Sequence, residues 1–178
     1  MLPILLPLGF ILLLLFVVIA GQPDEFKVTR SATIPAAPSS VFPHVNCLRL
    51  WEAWSPWAKL DPNAKSVFEG PAESVGAIMR WAGNQKIGEG SMTITESSAN
   101  ELVRFRLEFL KPFKATNTAE FIFRPENGQT IVTWSMFGKN HFAGKIFGLI
   151  LNCENRVGRS FDQGLAQLAA AVQAAPKK

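Results

Sequence analysis

The sequence predicts an α+β protein: a curved antiparallel sheet of about six or seven strands around one long C-terminal helix, preceded by an apolar helix long enough to cross a bilayer. Three observations carry this expectation. Leu2–Ala20 contains no charged residue. Between Phe26 and Phe137 apolar residues recur mostly at every second position, with turn signals between the runs, as in half-buried strands. From Val157 to Val172 the spacing changes to steps of three and four, as in an amphipathic helix.

The chain has 178 residues, which suits one domain (residues 23–175) and an appendage (residues 1–22). As a helix the appendage's apolar run rises about 28 Å, close to the thickness of a bilayer's hydrocarbon core. Pro3 and Pro7 fall near its start, where a missing N–H does least harm. A retained single-pass anchor is the preferred reading. The rival is a cleaved signal peptide, since Val18-Ile19-Ala20 precedes Gly21. Against it, no Lys or Arg precedes the run, which also exceeds the usual core of about 7–15 residues. Lys27 and Arg30 follow the span, too small a margin to fix the side of the membrane.

The first strand is expected over Phe26–Ile34, where Phe26, Val28, Ala32 and Ile34 alternate with polar neighbours and Pro35 ends the run. Ser39 or Ser40 is expected to cap a short helix carrying Val41, Phe42 and Val45. A second short helix carries Leu48, Leu50, Trp51 and Trp54 and closes at Ser55-Pro56. Six strands follow: Lys65–Glu69, Ala77–Ala82, Lys86–Ser97, Leu102–Leu110, Ala115–Arg124 and Gln129–Phe137. Asn127-Gly128 is the strongest hairpin signal among their connections. Val103, Phe105, Leu107 and Phe109 share one face, and Arg104, Arg106 and Glu108 the other. The two arginines are expected to pair across strands with nearby acids. Val157, Phe161, Leu165, Leu168 and Val172 form the stripe of the last helix, which Phe142, Ile146 and Leu149 precede.

This layout resembles the helix-grip fold of the START and birch-pollen-allergen superfamily (SRPBCC), and within it the polyketide cyclase/dehydrase-type branch. The resemblance covers about Phe26–Val172. It is carried by Ala36-Ala37-Pro38-Ser39-Ser40-Val41-Phe42, by Leu50-Trp51-Glu52-Ala53-Trp54-Ser55-Pro56-Trp57 and by Gly90-Ser91-Met92-Thr93-Ile94. Lys111-Pro112-Phe113-Lys114-Ala115 and Thr133-Trp134-Ser135-Met136 complete it. The resemblance implies an apolar cavity between sheet and helix. It does not imply a reaction, because only some members are enzymes.

The residues expected to line that cavity are Trp54, Trp57, Trp81, Phe105, Phe109, Phe113, Trp134, Met136, Phe142 and Phe147. The competing reading is that the tryptophans simply fill the core. Arg80, Glu108, Asn117, Asn140 and His141 are polar candidates for orienting a ligand, each weighed against a solvated surface role. Gly138, Gly144 and Gly148 suggest a gate over Gly138–Leu151.

Other chemistries find little support. Two cysteines cannot staple a domain of this size. His44 and Cys47 stand three apart but lack further metal ligands, so no metal and no cofactor is expected. Gly138–Lys145 is not a phosphate loop, since Ile146 stands where Ser or Thr must hold magnesium. Gly88-Glu89-Gly90 reads as a bulge inside a strand. No Gly-x-Ser-x-Gly elbow is present, and tyrosine is absent. The net charge of +4 is modest; scattered solubilising lysines are the plainer reading, and an anionic-lipid contact is preferred to nucleic acid. The expected function is a membrane-tethered binding protein for a lipid-like or polyketide-like molecule. The expected partners are that ligand and membrane lipids. The alternatives are a cyclase or dehydratase using the same cavity, and an interaction module whose cavity is filled by its own aromatic side chains.

Overall fold

The computed structural model describes Leu14, residues 16–139 and residues 153–175. Seven strands form one antiparallel sheet: β1 (Glu25–Ile34), β2 (Lys65–Glu69), β3 (Ile78–Ala82), β4 (Glu89–Ser98), β5 (Leu102–Lys111), β6 (Ala115–Glu126) and β7 (Gln129–Lys139). Their order is β1-β7-β6-β5-β4-β3-β2, so every sequential pair from β2 to β7 is adjacent and β1 closes onto β7. Two short helices, α1 (Pro38–Asn46) and α2 (Trp51–Trp54), link β1 to β2, with a 3₁₀ turn at Leu48–Leu50 between them. The long helix α3 (Cys153–Ala174) runs along β1 and meets α1 and α2. This is the helix-grip arrangement.

Local chemistry explains the boundaries. Asn127 and Gly128 both take positive φ, the backbone that a tight β6–β7 hairpin needs. Gly88 also has positive φ, and the β4–β5 register shifts between Glu89 and Gly90, as a bulge there requires. The start of α1 differs from expectation. Ala37 is its N-cap and makes no side-chain bond, while Ser39 and Ser40 lie inside the helix. Pro38 takes the first turn, with φ already fixed and no N–H to satisfy.

One face of the sheet carries the core. Val103 and Phe105 of β5, Phe121 and Phe123 of β6, and Val132 and Trp134 of β7 are all buried beneath α1, α2 and α3. Phe161, Leu165, Leu168 and Val172 of α3 are buried too, so its stripe faces inward as the spacing requires. The outer face is polar. Thr29 pairs with Ser135 at 3.0 Å and Ser31 with Thr133 at 2.9 Å. Arg104 of β5 reaches Glu96 of β4 and Glu120 of β6, the cross-strand pairing expected of it. Arg106 instead pairs with Glu108 on its own strand, because both project from the same face two residues apart.

Among the described residues no helix is long and apolar enough to cross a membrane. Most of the expected anchor, residues 1–13 and 15, lies outside the described residues, and 16–20 are helical.

Candidate functional site

The concave face is built of rows in which neighbouring strands present side chains in register. The central rows are filled. Trp134 lies between Phe161, stacked at 4.0 Å, and Phe121, stacked at 4.7 Å. The edges of Trp51, Trp54 and Trp57 meet it at 6.1, 5.8 and 5.7 Å. Each such aromatic pair contributes about 0.5–1.5 kcal/mol beyond area burial. Trp51 Nε1 donates to Val45 O and Trp54 Nε1 to His44 O, both at 2.9 Å, which pins α2 against α1. Trp134 Nε1 is buried without a hydrogen-bond partner. Trp54, Phe105 and Trp134 are 0, 0 and 2% exposed, so their surfaces are taken up by this cluster. In the middle of the grip the concavity is filled by the chain's own aromatic side chains.

The apolar face continues beyond that cluster. Register places Phe68, Met79, Met92, Leu107 and Asn117 side by side across β2 to β6, and Phe26 opposite Gly138 on β1 and β7. The next row carries Ser66, Trp81, Gly90, Phe109 and Ala115. Phe26, Met79, Trp81, Leu107, Phe109, Asn117 and Met136 are only partly buried, as is Trp57, whose ring meets Trp134 and Phe161. The apolar face therefore passes from fully buried core to a slope of partly buried side chains packed against it, with Ser66 and Asn117 as the polar side chains of its two outer rows.

Two glycines shape the slope. A Cβ at Gly90 would stand 2.5 Å from the Trp81 ring, so the indole lies flat across β4. Its Nε1 donates to Ile87 O at 3.2 Å and its ring meets Phe109 edge-on at 5.9 Å. A Cβ at Gly138 would stand 2.5 Å from Asn117 Oδ1, so the amide occupies that space instead. Asp61, itself buried, accepts the N–H groups of Asn63 at 3.0 Å and Asn84 at 2.7 Å. It thereby ties the loop after Trp57 to the β3–β4 turn beside Trp81.

The expected lining residues thus fall in different places. Trp54, Phe105 and Trp134 are in the packed cluster, Trp81 meets Phe109 on the slope, and Trp57 and Met136 are partly buried against the core. Phe113 is exposed in the β5–β6 turn, because Lys111-Pro112 ends the strand alternation that put Phe105 and Phe109 inward. Phe142 and Phe147, most of the expected gate, and Asn140 and His141 lie outside the described residues. Arg80 and Glu108 project from the outer face, where Arg80 pairs with Glu69 at 2.9 Å. Leu107 and Phe26 belong to the slope without having been expected there, although the same alternation marks both.

Other hollows are of different character. One of about 30 Å³ between Leu48, Phe68 and Ala77 has the volume of a single water. A surface groove of about 370 Å³ follows the β1–β7 edge past Phe26, Lys27, Glu120, Phe137 and Lys139. Lys27 Nζ lies 5.9 Å from the Phe137 ring centre there. Among the described residues no group of three His, Cys, Asp or Glu side chains is placed to hold a metal.

Comparison with known proteins agrees with this geometry. Crystal structures similar to the chain include Ara h 8.0201, with 11% identity and TM-score 0.62 over 85% of this chain and 99% of that one. A Thermus thermophilus protein, TTHA0849, gives 19% identity and TM-score 0.59 over 85% and 100%. The solution structure of the Aha1 dimer from Colwellia psychrerythraea gives 14% and 0.58 over 84% and 97%. At these identities the likeness is one of fold. No curated protein matches the sequence. Residues 25–173, from the first strand to the end of α3, match the family described as polyketide cyclase / dehydrase and lipid transport, and the chain belongs to that family, within the SRPBCC superfamily.

Proposed function

We propose that the protein binds a lipid-like or polyketide-like molecule on the apolar slope between α3 and the β3–β7 part of the sheet, and that Leu2–Ala20 tethers it to a membrane. The observation that supports this is the continuation of the apolar face, through Leu107, Phe109 and Trp81, past the end of the packed cluster. The part of this aromatic and aliphatic surface that is still exposed gains about 25 cal/mol for each Å² that a ligand withdraws from water. Asn117, held beside Gly138, offers one amide to orient a polar end of the ligand. The mechanism is partition: the ligand leaves the bilayer for walls that replace its acyl surroundings, and the tether keeps source and site close.

The filled middle of the grip favours the interaction-module reading for that part of the concavity, and it limits the ligand site to the outer rows. Native mass spectrometry of the full-length chain, with extraction and identification of co-purified amphiphiles, tests the proposal. A stoichiometric amphiphile, lost when Trp81 and Phe109 are both changed to Ala, is the expected result. A chain that carries none and fails to take up 1-anilinonaphthalene-8-sulfonate contradicts it.

A further inference from the structure

We infer that the open end of the grip is a docking surface for an anionic bilayer, seated through the loop after Trp57 and the β5–β6 turn. The inference rests on the proposed reading of Leu2–Ala20 as a tether and deepens it, since it states which part of the domain meets the lipid. The antiparallel register sets the geometry. Glu25 at the start of β1, Lys139 at the end of β7, Lys111 at the end of β5 and Lys65 at the start of β2 all lie at one end of the sheet. The slope bearing Trp81 and Phe109 opens at that same end.

The apolar segment therefore reaches the fold where the slope opens. Ala20 to Glu25 is a link of five residues, about 17 Å when extended. From β1 to β5 is three strand spacings, about 14 Å. A membrane holding the segment therefore lies within reach of the β5–β6 turn.

That turn has the composition of an interfacial contact. Leu110 is 54% and Phe113 is 58% exposed, and Lys111 and Lys114 flank them. Leu60, 42% exposed, is the neighbour of Asp61, whose bond to Asn84 holds that loop beside the β3–β4 turn. Lys27, Lys65, Lys86 and Lys139 are exposed at this end too. Of the acids here, Asp24 and Glu25 are exposed near Lys27, Glu89 is paired with Lys111, and Asp61 is buried as an acceptor of backbone N–H groups. The connections at the opposite end carry Glu73, Glu101 and Glu126. Lysines thus outnumber acids at the end where the slope lies, beside exposed large apolar side chains, whereas acids predominate at the opposite end. An anionic surface is complementary to the first end and repels the second.

The test uses the full-length chain reconstituted in phosphatidylcholine vesicles containing phosphatidylglycerol, with Cys47→Ser and Cys153→Ser. A nitroxide is attached at Phe113→Cys, and in a second sample at Glu126→Cys in the opposite turn. Collision with oxygen and with a water-soluble nickel chelate reads depth. The expected result is a label at 113 that oxygen reaches and nickel does not, and a label at 126 that nickel reaches freely. Lys86→Gln with Lys114→Gln should lower the docked-to-undocked ratio about 30-fold, at roughly one kcal/mol per lysine near the surface. A label at 113 that nickel reaches as freely as at 126 overturns the inference. So does a buried label indifferent both to phosphatidylglycerol and to the lysine exchange. Uptake of 1-anilinonaphthalene-8-sulfonate by the same chain reads the ligand site separately. Loss of uptake with a buried label refutes the ligand proposal alone, and uptake with an exposed label refutes the docking alone.

Discussion

Gly164 sits where α3 crosses the aromatic cluster, and a Cβ there would meet Trp134 at 2.8 Å and Pro56 at 3.1 Å. Trp134 is clamped on both faces and cannot yield, so Gly164→Ala should destabilise by about 1–3 kcal/mol through overpacking. At Gly158 the added carbon would meet Arg30 Nη2 at 2.1 Å, the far end of a flexible chain that can swing aside at the loss of its 3.3 Å pairing with Asp162. Urea midpoints should therefore fall further for Gly164→Ala than for Gly158→Ala; the reverse order would mean that the stack is looser than described. Charge pairs on the outer face also differ. Glu120 is 13% exposed and bonded to Arg104, whereas the Arg106–Glu108 pair is open to water. Arg104→Ala leaves a nearly buried carboxylate unpaired and should cost about 1–3 kcal/mol, while Arg106→Ala should cost under about 1 kcal/mol. Double-mutant cycles with Glu120→Gln and Glu108→Gln separate the two. Burial holds the His44 pKa below its ordinary value. As pH falls, the unfolded chain takes up that proton first, so this contribution to stability is complete above about pH 6.5 and is lost below it. His44→Gln should flatten the decline in urea midpoint between about pH 7 and pH 5. An unchanged slope would assign the decline to other groups.

Elements differ in how openly the sequence declares them. Alternation across β5, β6 and β7 assigns their faces, because a side chain in a strand has only two directions to choose from. Asn127-Gly128 declares its hairpin because few other residues tolerate two successive positive φ angles. The tryptophans of the α2 region are harder to place. Trp51, Trp54 and Trp57 step by three, but the 3₁₀ turn, one helical turn and a loop break the phase, so spacing alone does not tell core from wall. What divides them is tertiary: Trp51 and Trp54 give their N–H groups to the end of α1, and Trp57 lies at the margin. Phe113 lies past Lys111, where the alternation stops, so spacing does not assign it a face. The division predicts different phenotypes. Trp54→Ala removes a fully buried indole and should cost about 3–5 kcal/mol of stability. Trp81→Ala and Phe109→Ala remove partly exposed rings and should lower uptake of a hydrophobic probe with a smaller shift in unfolding midpoint. Equal losses of stability at all three would place Trp81 and Phe109 in the core.

At the scale of the whole molecule, one apolar face has two parts. Its middle rows meet α1, α2 and α3 and hold the fold together, and its outer rows stay partly open at the end where the N-terminal segment joins the sheet. In the proposed reading, tether, lysines and slope share one end of the molecule, an arrangement suited to taking a ligand from the surface that would hold the protein. The most direct test is photo-crosslinking of the full-length chain in vesicles with a diazirine-bearing fatty acid, followed by peptide mapping. Adducts should fall on 78–82, 107–113 and 134–138, the strand segments of the slope and its adjoining turn. Adducts confined to residues 2–20, or spread over the outer face at Thr29, Ser31 and Thr133, would contradict the account.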